Sequence, residues 1–594
     1  MKAAPSTTQS RPSHTPGWFW TRGSPDRDYD QSLRGSQSTP VFGEITVWWI
    51  DQICINQEDE ADKTQQMKLM KKIFERAHMV MAWLGPASEN SDFAMEMIEQ
   101  NSPRPAKSTS NKSARAHASL GFDPEVEARL SKAIGSLGRR QWWQRTWILP
   151  EATAIKSSKT WIICGTKRVS LKTMLSFRKR YHYLPPVIKK AASRFPQTGS
   201  VFKLVQHVWV FHWLRTRSRG FKLYRLLDHV AATETTDPRD KIFSMLAFSK
   251  EHCKSGSKLQ PDYSISPFDA YVQCALWHIS RYKNLHVLGF CTGIRTALNN
   301  TTAVATRPTA MVGVATADIS RQNATGQEQR LPSWTPSWVT KSHRPDTSPL
   351  LSRMRDTSIS HHDKYIFNAC GPFRSVKCNF DDKPNKSVTH LSVLGIKLVD
   401  IGVVHKEGDL PLYEKGALCS VTGLAMQEVV HRTIRADVQK CFKRKMKIYY
   451  RRLGGDSQHT NRKNSESSQE MSHSNCLFET NPSQEDDTGI IGLATKRAQT
   501  GDQVWLLQGC RVLVVLRPHV VAMAHEHGSM DLETGLGETK ALEAGQTVYE
   551  YVGESFILGL MDGEVVDMLG PQPGRATPPS LSDMDREFQK IGLL

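Results

Sequence analysis

The 594-residue sequence has no apolar run near the roughly 18–20 residues that cross a bilayer. Its best candidate, Val512 to Leu516, is closed off by Arg511 and Arg517, so no membrane span is expected. It has no C-x-x-C pair. The 11 cysteines are odd in number and scattered from Cys54 to Cys510, which excludes a disulfide framework or a zinc ribbon and points to reduced thiols. The N-terminus lacks an apolar core segment, and Arg11, Arg22, Arg27 and Arg34 are interspersed with Asp26, Asp28 and Asp30. That pattern suits neither a signal peptide nor a transit peptide, and a cytoplasmic location is expected. No glycine-rich phosphate loop follows any strand, since Gly454-Gly455 stands alone beside a polar stretch; no cofactor is therefore expected. There is no tandem repeat.

Basic charge is abundant. Lysine and arginine total 78 against 59 acidic residues, a formal net charge of +19. The 39% hydrophobic fraction and 15 tryptophans exclude a wholly disordered chain. The 30 prolines and a mean hydropathy of −0.45 imply polar linkers between two or three domains. Much of the excess charge is local: between Arg432 and Arg452 nine basic residues face one acid, Asp437. Val438, Phe442 and Tyr449 permit a basic amphipathic helix there, able to meet phosphate or anionic lipid, or simply a solvated helix. No nucleic-acid-binding motif accompanies it, so no nucleic-acid partner is expected.

Along the chain, residues 1–43 are rich in Ser, Pro, Thr and Arg and read as disordered. Ile45 to Ile50 is a β-branched and aromatic run expected to be a buried strand ending at Asp51. A polar loop, Asn56 to Glu60, leads into a helix with Met67, Met70, Phe74 and Ala77 in period, capped by Asp62 or Thr64. A second strand, Met79 to Leu84, stops at Gly85-Pro86. The next helix begins at Ser91, with Phe93, Met97 and Ile98 expected on its inner face. Strand–helix–strand–helix is the pattern of a parallel α/β sheet covered by helices. Residues 101–118 read as an inserted loop, Val126 to Leu137 as helix, Thr160 to Cys164 as strand, and Leu171 to His229 as mainly helical. Asp237-Pro238-Arg239-Asp240 is a cap signal before the helix Ile242 to Phe248. This organisation implies a domain over 44–250, a mixed α+β region over 251–455, a disordered linker over 456–488, a small β module over 489–570, and a tail over 571–594.

Five blocks then stand in order: Trp49-Ile50-Asp51-Gln52-Ile53-Cys54-Ile55-Asn56-Gln57, Ile73-Phe74-Glu75-Arg76-Ala77, Val80 to Gly85, Arg145-Thr146-Trp147-Ile148-Leu149-Pro150-Glu151, and Asp237 to Lys241. Together they resemble the fungal heterokaryon incompatibility (HET) domain. Further blocks of the longer family architecture follow at Pro261-Asp262-Tyr263, Ser333 to Trp338, Gly501-Asp502 with Gly509-Cys510, and Gly553-Glu554 with Gly559 to Glu564. The resemblance implies a fold similar to Toll/interleukin-1 receptor (TIR) domains, with a parallel sheet flanked by helices. It also implies a role in self/non-self recognition and regulated cell death, with other incompatibility proteins or the chain itself as partners. Two departures are visible. The family's opening A-L-S-Y-x-W-G strand has no counterpart in residues 1–43, which predicts an exposed sheet edge, and Pro150 stands where the family usually has Gln.

Two constellations could carry chemistry. In open α/β sheets ligands bind beyond the carboxyl ends of strands, and Asp51 is expected there with Asn56 and Gln57 on the following loop; the same residues could instead satisfy backbone groups in a turn. The second is Arg145, Trp147 and Glu151. Trp147-x-x-x-Glu151 shares a face if helical and resembles the W-C-x-x-E element of TIR domains, whose Glu is catalytic in those that cleave NAD. Glu151 is then the candidate catalytic carboxylate, NAD a possible substrate, and Asp51, Asn56, Gln57, Arg145 and Trp147 the lining. An Arg145–Glu151 structural ion pair is the other reading. Cys54 with His78 and Asp51 reads as a buried thiol rather than a nucleophile, and the adjacent His361-His362-Asp363 cannot all face one ion.

Overall fold

The computed structural model describes residues 48–100 except 89, 124–181 except 154, 222–249 except 231, 232 and 247, and 259–291. It also describes 330–338, 368–376 except 372 and 374, 388–405, scattered positions over 422–433, 475–481, 489–521, 525–531, 537–568 except 562, and 588–594. The insertion, almost all of the basic segment and His361 to Asp363 lie outside these residues. The chain divides into two compact units, one of residues 1–236 with 243–264 and the other of 237–242 with 265–594. The whole is mixed α/β. Among the described residues no helix is long and apolar enough to cross a membrane.

In the first unit Trp48 to Ile50 form no strand. Ile50 is extended (φ −135°, ψ 126°) and leads directly into a one-turn helix, α1 (Asp51–Cys54). The expected strand ending at Asp51 is thus corrected over its described part: Ile50 and Ile55 are buried at either end of the turn, and the intervening residues coil over them. Helix α2 (Glu60–Arg76) is capped by Asp59, whose carboxylate accepts from the backbone N–H groups of Ala61 and Asp62. The expected caps serve elsewhere. Asp62 accepts from the Asn56 N–H, and the Thr64 hydroxyl from the Tyr263 N–H.

Strand β1 (Val80–Trp83) and helix α3 (Ser91–Gln100) fall where the apolar periodicity puts them, but α3 is rotated. It buries Ser91, Ala94, Met95 and Ile98, leaving Phe93 and Met97 half-covered. The Arg129 guanidinium lies 4.3 Å from the Phe93 ring, which keeps that ring at the surface. Helix α4 (Pro124–Gly138) precedes a 3₁₀ turn at Gln141–Gln144 and the short helix α5 (Ile148–Thr153). Strand β2 (Thr160–Cys164) pairs with β1 in parallel, and β3 (Lys167–Ser170) returns antiparallel to it. The two-residue hairpin needs a positive φ at Gly165 (+57°), and a Cβ there would sit 2.7 Å from that of Ala87. The sheet runs β1-β2-β3. Within the first unit, β1–β2 is the one parallel strand pair among the described residues. Helices α6 (Leu171–Tyr181), α7 (Leu223–Val230) and α8 (Asp240–Leu246) follow.

The second unit contains helix α9 (Pro267–Tyr282), capped by Ser266 and almost wholly buried, and a large sheet. Its organising strand is β4 (Val388–His405), long enough to serve several neighbours. Strands β5 (Asn475–Thr480), β6 (Ile491–Thr495), β7 (Gln503–Leu507), β8 (Leu513–Val520) and β11 (Thr547–Ile557) connect in the order β4-β5-β6-β11-β8-β7, and β7 pairs back onto β4. The ring closes, which removes its edges. Its interior is filled by Ile401, Phe478, Val504, Leu506, Leu513, Val515, Val552 and Phe556. A bulge between Tyr551 and Gly553 bends β11, and Gly553 is required there because a Cβ would run into the Thr495 methyl. Strands β9 (His525–Asp531) and β10 (Gly537–Leu542) extend the sheet from β4. The short helix α10 (Glu564–Met568) precedes β12 (Gln589–Leu593), which joins β4 and β11.

Two expectations change here. Residues 475–480 sit in the polar stretch read as linker, yet Leu477 and Phe478 enter the ring's core. The last residues, read as tail, form β12, because Ile591 and Leu593 bury one face. Across β7 and β8, Arg517 makes a bidentate pair with the buried Asp502 (2.8 and 3.0 Å) and donates to the Arg497 carbonyl. Asp502 also accepts from the Gln499 N–H.

All seven described cysteines are free. Burial pushes the thiols of Cys274, Cys291 and Cys510 well up, and that of Cys476 to about 11, so little thiolate forms at neutral pH. Cys54 is exposed, a correction of its expected burial. Iodoacetamide at neutral pH should label Cys54 and leave Cys274, Cys291 and Cys510 unmodified until denaturant is added, as read by peptide mass spectrometry. Arg517→Ala should lower stability by about 3 kcal/mol, because it strands a buried carboxylate; urea unfolding monitored at the tryptophans checks this.

Candidate functional site

The first constellation is built by the coil on either side of α1. Asp51 opens the turn and Gln57 folds back so that its Nε2 donates to the Asp51 carbonyl at 3.1 Å. Asn56 is occupied twice. Its N–H donates to Asp62 at 2.9 Å, and its side-chain oxygen accepts from the Glu58 N–H at 3.2 Å. Asn56 and Gln57 are exposed, and both complete the turn as the alternative reading held.

Arg145 arrives from the other side, at the end of the 3₁₀ turn. Its backbone is pinned by a parallel bridge to Glu234: Thr146 N–H donates to the Glu234 carbonyl at 3.0 Å and the Glu234 N–H to the Gln144 carbonyl at 2.5 Å. The buried hydroxyls of Thr146 and Thr233 meet at 2.6 Å beneath it. So held, the Arg145 guanidinium stands 3.9 Å from the Asp51 carboxylate, with the two side chains 26% and 23% exposed. Asp51, Gln57 and Arg145 thus form one half-open polar cluster, an ion pair that solvent reaches.

Glu151 has a different environment. Pro150 is the third residue of α5, inside the first turn where helix N–H groups lack partners, so it fits without loss. Trp147 is the residue before the helix, half-buried, and its carbonyl accepts from the Glu151 N–H at 3.4 Å. The Glu151 side chain is only 2% exposed, and its Oε2 accepts from the Trp142 indole N–H at 3.1 Å. Trp142 packs edge-on against Trp143 at 4.6 Å. A carboxylate in so dry a place must be given donors, because an unsatisfied buried charge is severely penalised.

Trp142 is the residue the sequence did not single out. It stands nine positions before Glu151, a spacing belonging to no regular element; only the intervening 3₁₀ turn brings the two together. The Trp142-Trp143 doublet was the available signal. Thr233 and Glu234, which position Arg145, left no local signature at all. Among the described residues no group of His, Cys, Asp or Glu is arranged to hold a metal.

The blocks that build this site lie in or near a segment with a recognisable family likeness. Residues 32–151 match the sequence model of the family described as heterokaryon incompatibility protein (HET), a span that contains α1, α2 and β1 and ends on Glu151. Over these residues the chain is similar to HET-domain proteins. It is 25% identical over 401 residues to heterokaryon incompatibility protein 6, OR allele, of Neurospora crassa, an alignment covering 60% of this chain and 51% of that protein. The chain therefore spans about half the length of this relative. No solved structure matches it.

If the Trp142–Glu151 bond holds α5 in place, Trp142→Phe removes one donor from a buried carboxylate and should destabilise the protein by about 1–3 kcal/mol. Paired with Glu151→Gln in a double-mutant cycle, the two changes should be non-additive by about 1 kcal/mol in thermal or urea unfolding.

Proposed function

We propose that this protein acts in heterokaryon incompatibility, as a cytoplasmic self/non-self recognition module that triggers or regulates cell death by associating with other incompatibility proteins or with itself. The observation that carries the reading is the family match over residues 32–151, reinforced by a relative named for incompatibility. The geometry favours association over chemistry at Glu151. The carboxylate is buried and engaged by an indole, whereas the polar groups facing solvent are the Asp51–Arg145 pair and the exposed loop of Asn56 and Gln57.

A second reading is NAD cleavage in a TIR-like site with Glu151 as catalytic carboxylate. A carboxylate set against tryptophan rings is the chemistry that could hold ribose hydroxyls and favour an oxocarbenium-like transition state, and the Trp142–Glu151 contact supports it to that extent. It requires Glu151 to leave Trp142 and face a ligand.

The two are separated by one variant. Expressed in a fungal strain in which the wild-type chain provokes an incompatibility reaction, Glu151→Gln should retain that reaction, and purified wild-type protein should release no more nicotinamide from NAD than the variant does. Loss of both the reaction and a measurable nicotinamide release in a folded variant would instead establish the enzyme reading.

A further inference from the structure

Helix α2 carries its basic residues on two sides, and only one side is used within the fold. Lys63 lies 4.2 Å over the Tyr263 ring, and Lys71 lies 5.9 Å from the Phe248 ring and 3.9 Å from Glu75. Lys68, Lys72 and Arg76 point outward instead, one above the other at intervals of four residues, with no side-chain partner among the described residues. Leu69, 38% exposed, lies beside them. Like charges at that spacing destabilise a helix by a few tenths of a kcal/mol per pair, so folding alone does not account for the row. The helix dipole favours a cation in the last turn, which accounts for Arg76 and not for Lys68.

At the other end of α2 the charge reverses. A cavity of about 1010 Å³ is lined there by Glu58, Asp59, Glu60, Thr64, Asp262 and Ser264, with Lys68 on its wall. Asp59 is taken up by the helix cap and Asp262 by the N–H and hydroxyl of Ser264. Glu58 and Glu60 are exposed, and their carboxylates have no partner among the described residues. At 1.5 Å per residue, Glu60 is about 18 Å from Lys72 and about 24 Å from Arg76 along the helix, beyond the roughly 8–10 Å over which charges interact at physiological salt. Lys72 and Arg76 therefore cannot be neutralised by Glu58 and Glu60 within one molecule, and Lys68 alone borders both patches.

We infer that the outer face of α2 is a self-association surface: the Lys68–Lys72–Arg76 row of one copy docks, with Leu69, on the Glu58–Glu60 wall of a second copy. This deepens the incompatibility reading by naming a partner, and rests on it only for its cellular meaning. A second copy is favoured over an anionic membrane because three cations are fewer than the 4–8 of a lipid-binding cluster, and because Glu58 and Glu60 on the same helix would repel that surface. The contact joins two different patches, so it is heterologous, running head to tail into a ring or an open chain.

Charge exchange tests this on the full-length protein by sedimentation velocity over a concentration series. The wild type should form species larger than a monomer at about 0.05 M salt and lose them at about 0.5 M. Lys68→Glu/Lys72→Glu/Arg76→Glu, and separately Glu58→Lys/Glu60→Lys, should each weaken association by about ten- to a hundredfold, with circular dichroism confirming that both fold. An equimolar mixture of the two variants should recover assembly, since each row then faces an opposite wall. A wild type that stays monomeric at low salt, association indifferent to salt, or a mixture that fails to reassemble would each overturn the proposal. So would a wild-type monomer that binds phosphatidylserine vesicles without self-associating. None of these outcomes bears on the incompatibility reaction itself, which the Glu151→Gln comparison reads independently.

Discussion

A carboxylate enclosed by protein has to be supplied with donors, and in the first unit the Trp142 indole supplies one to Glu151. The 3₁₀ turn at Gln141–Gln144 swings the Trp142 indole back to the head of α5. Leaving that turn, the chain is clamped to residues 233–234 by backbone bonds and by the buried pair of threonine hydroxyls. The clamp in turn fixes Arg145 near Asp51. Solvation of one buried acid, the path of the chain after α4 and the solvent-facing ion pair are therefore linked through one short stretch, residues 141–151.

The second unit answers a different constraint, the need to leave no unpaired strand. Eighteen residues of β4 pass through three register irregularities and serve β5, β7, β9 and β12 in turn. Closure of the ring leaves an interior filled by side chains, so any binding by this unit has to use its outside, its loops or the β9–β10 extension. The Arg517–Asp502 pair, with its added backbone partners, ties the residue before β7 to β8.

Local pattern carried the sequence reading well and spatial pairing carried it poorly. Helix α2, strand β1, helix α4 and strands β2, β7, β8 and β11 follow from apolar periodicity and from glycine and proline stops. The residues after Trp49 failed as a strand because a β-branched run specifies extended backbone without specifying a neighbour, and the described part of this one coils into α1. Strand β5 was hidden because its six residues are set in a polar stretch whose composition outweighs them. At the site, Asp51, Gln57 and Arg145 were legible through the motif blocks, and their convergence is real. The partner of Glu151 was not legible, since an indole nine residues away meets the carboxylate only through a turn that no periodicity announces.

One feature of the second unit bears on how the protein is made. Strand β12 is hydrogen-bonded along β4, so residues 589–593 complete a sheet begined by residues 391–395, about 200 positions earlier. Until the ribosome has delivered that strand, β4 holds a row of unpaired backbone groups and an uncovered apolar flank. Such long-range closure makes for slow folding. The unit therefore cannot close along β4 until residues 589–593 have been made, some 200 positions after the strand they pair with.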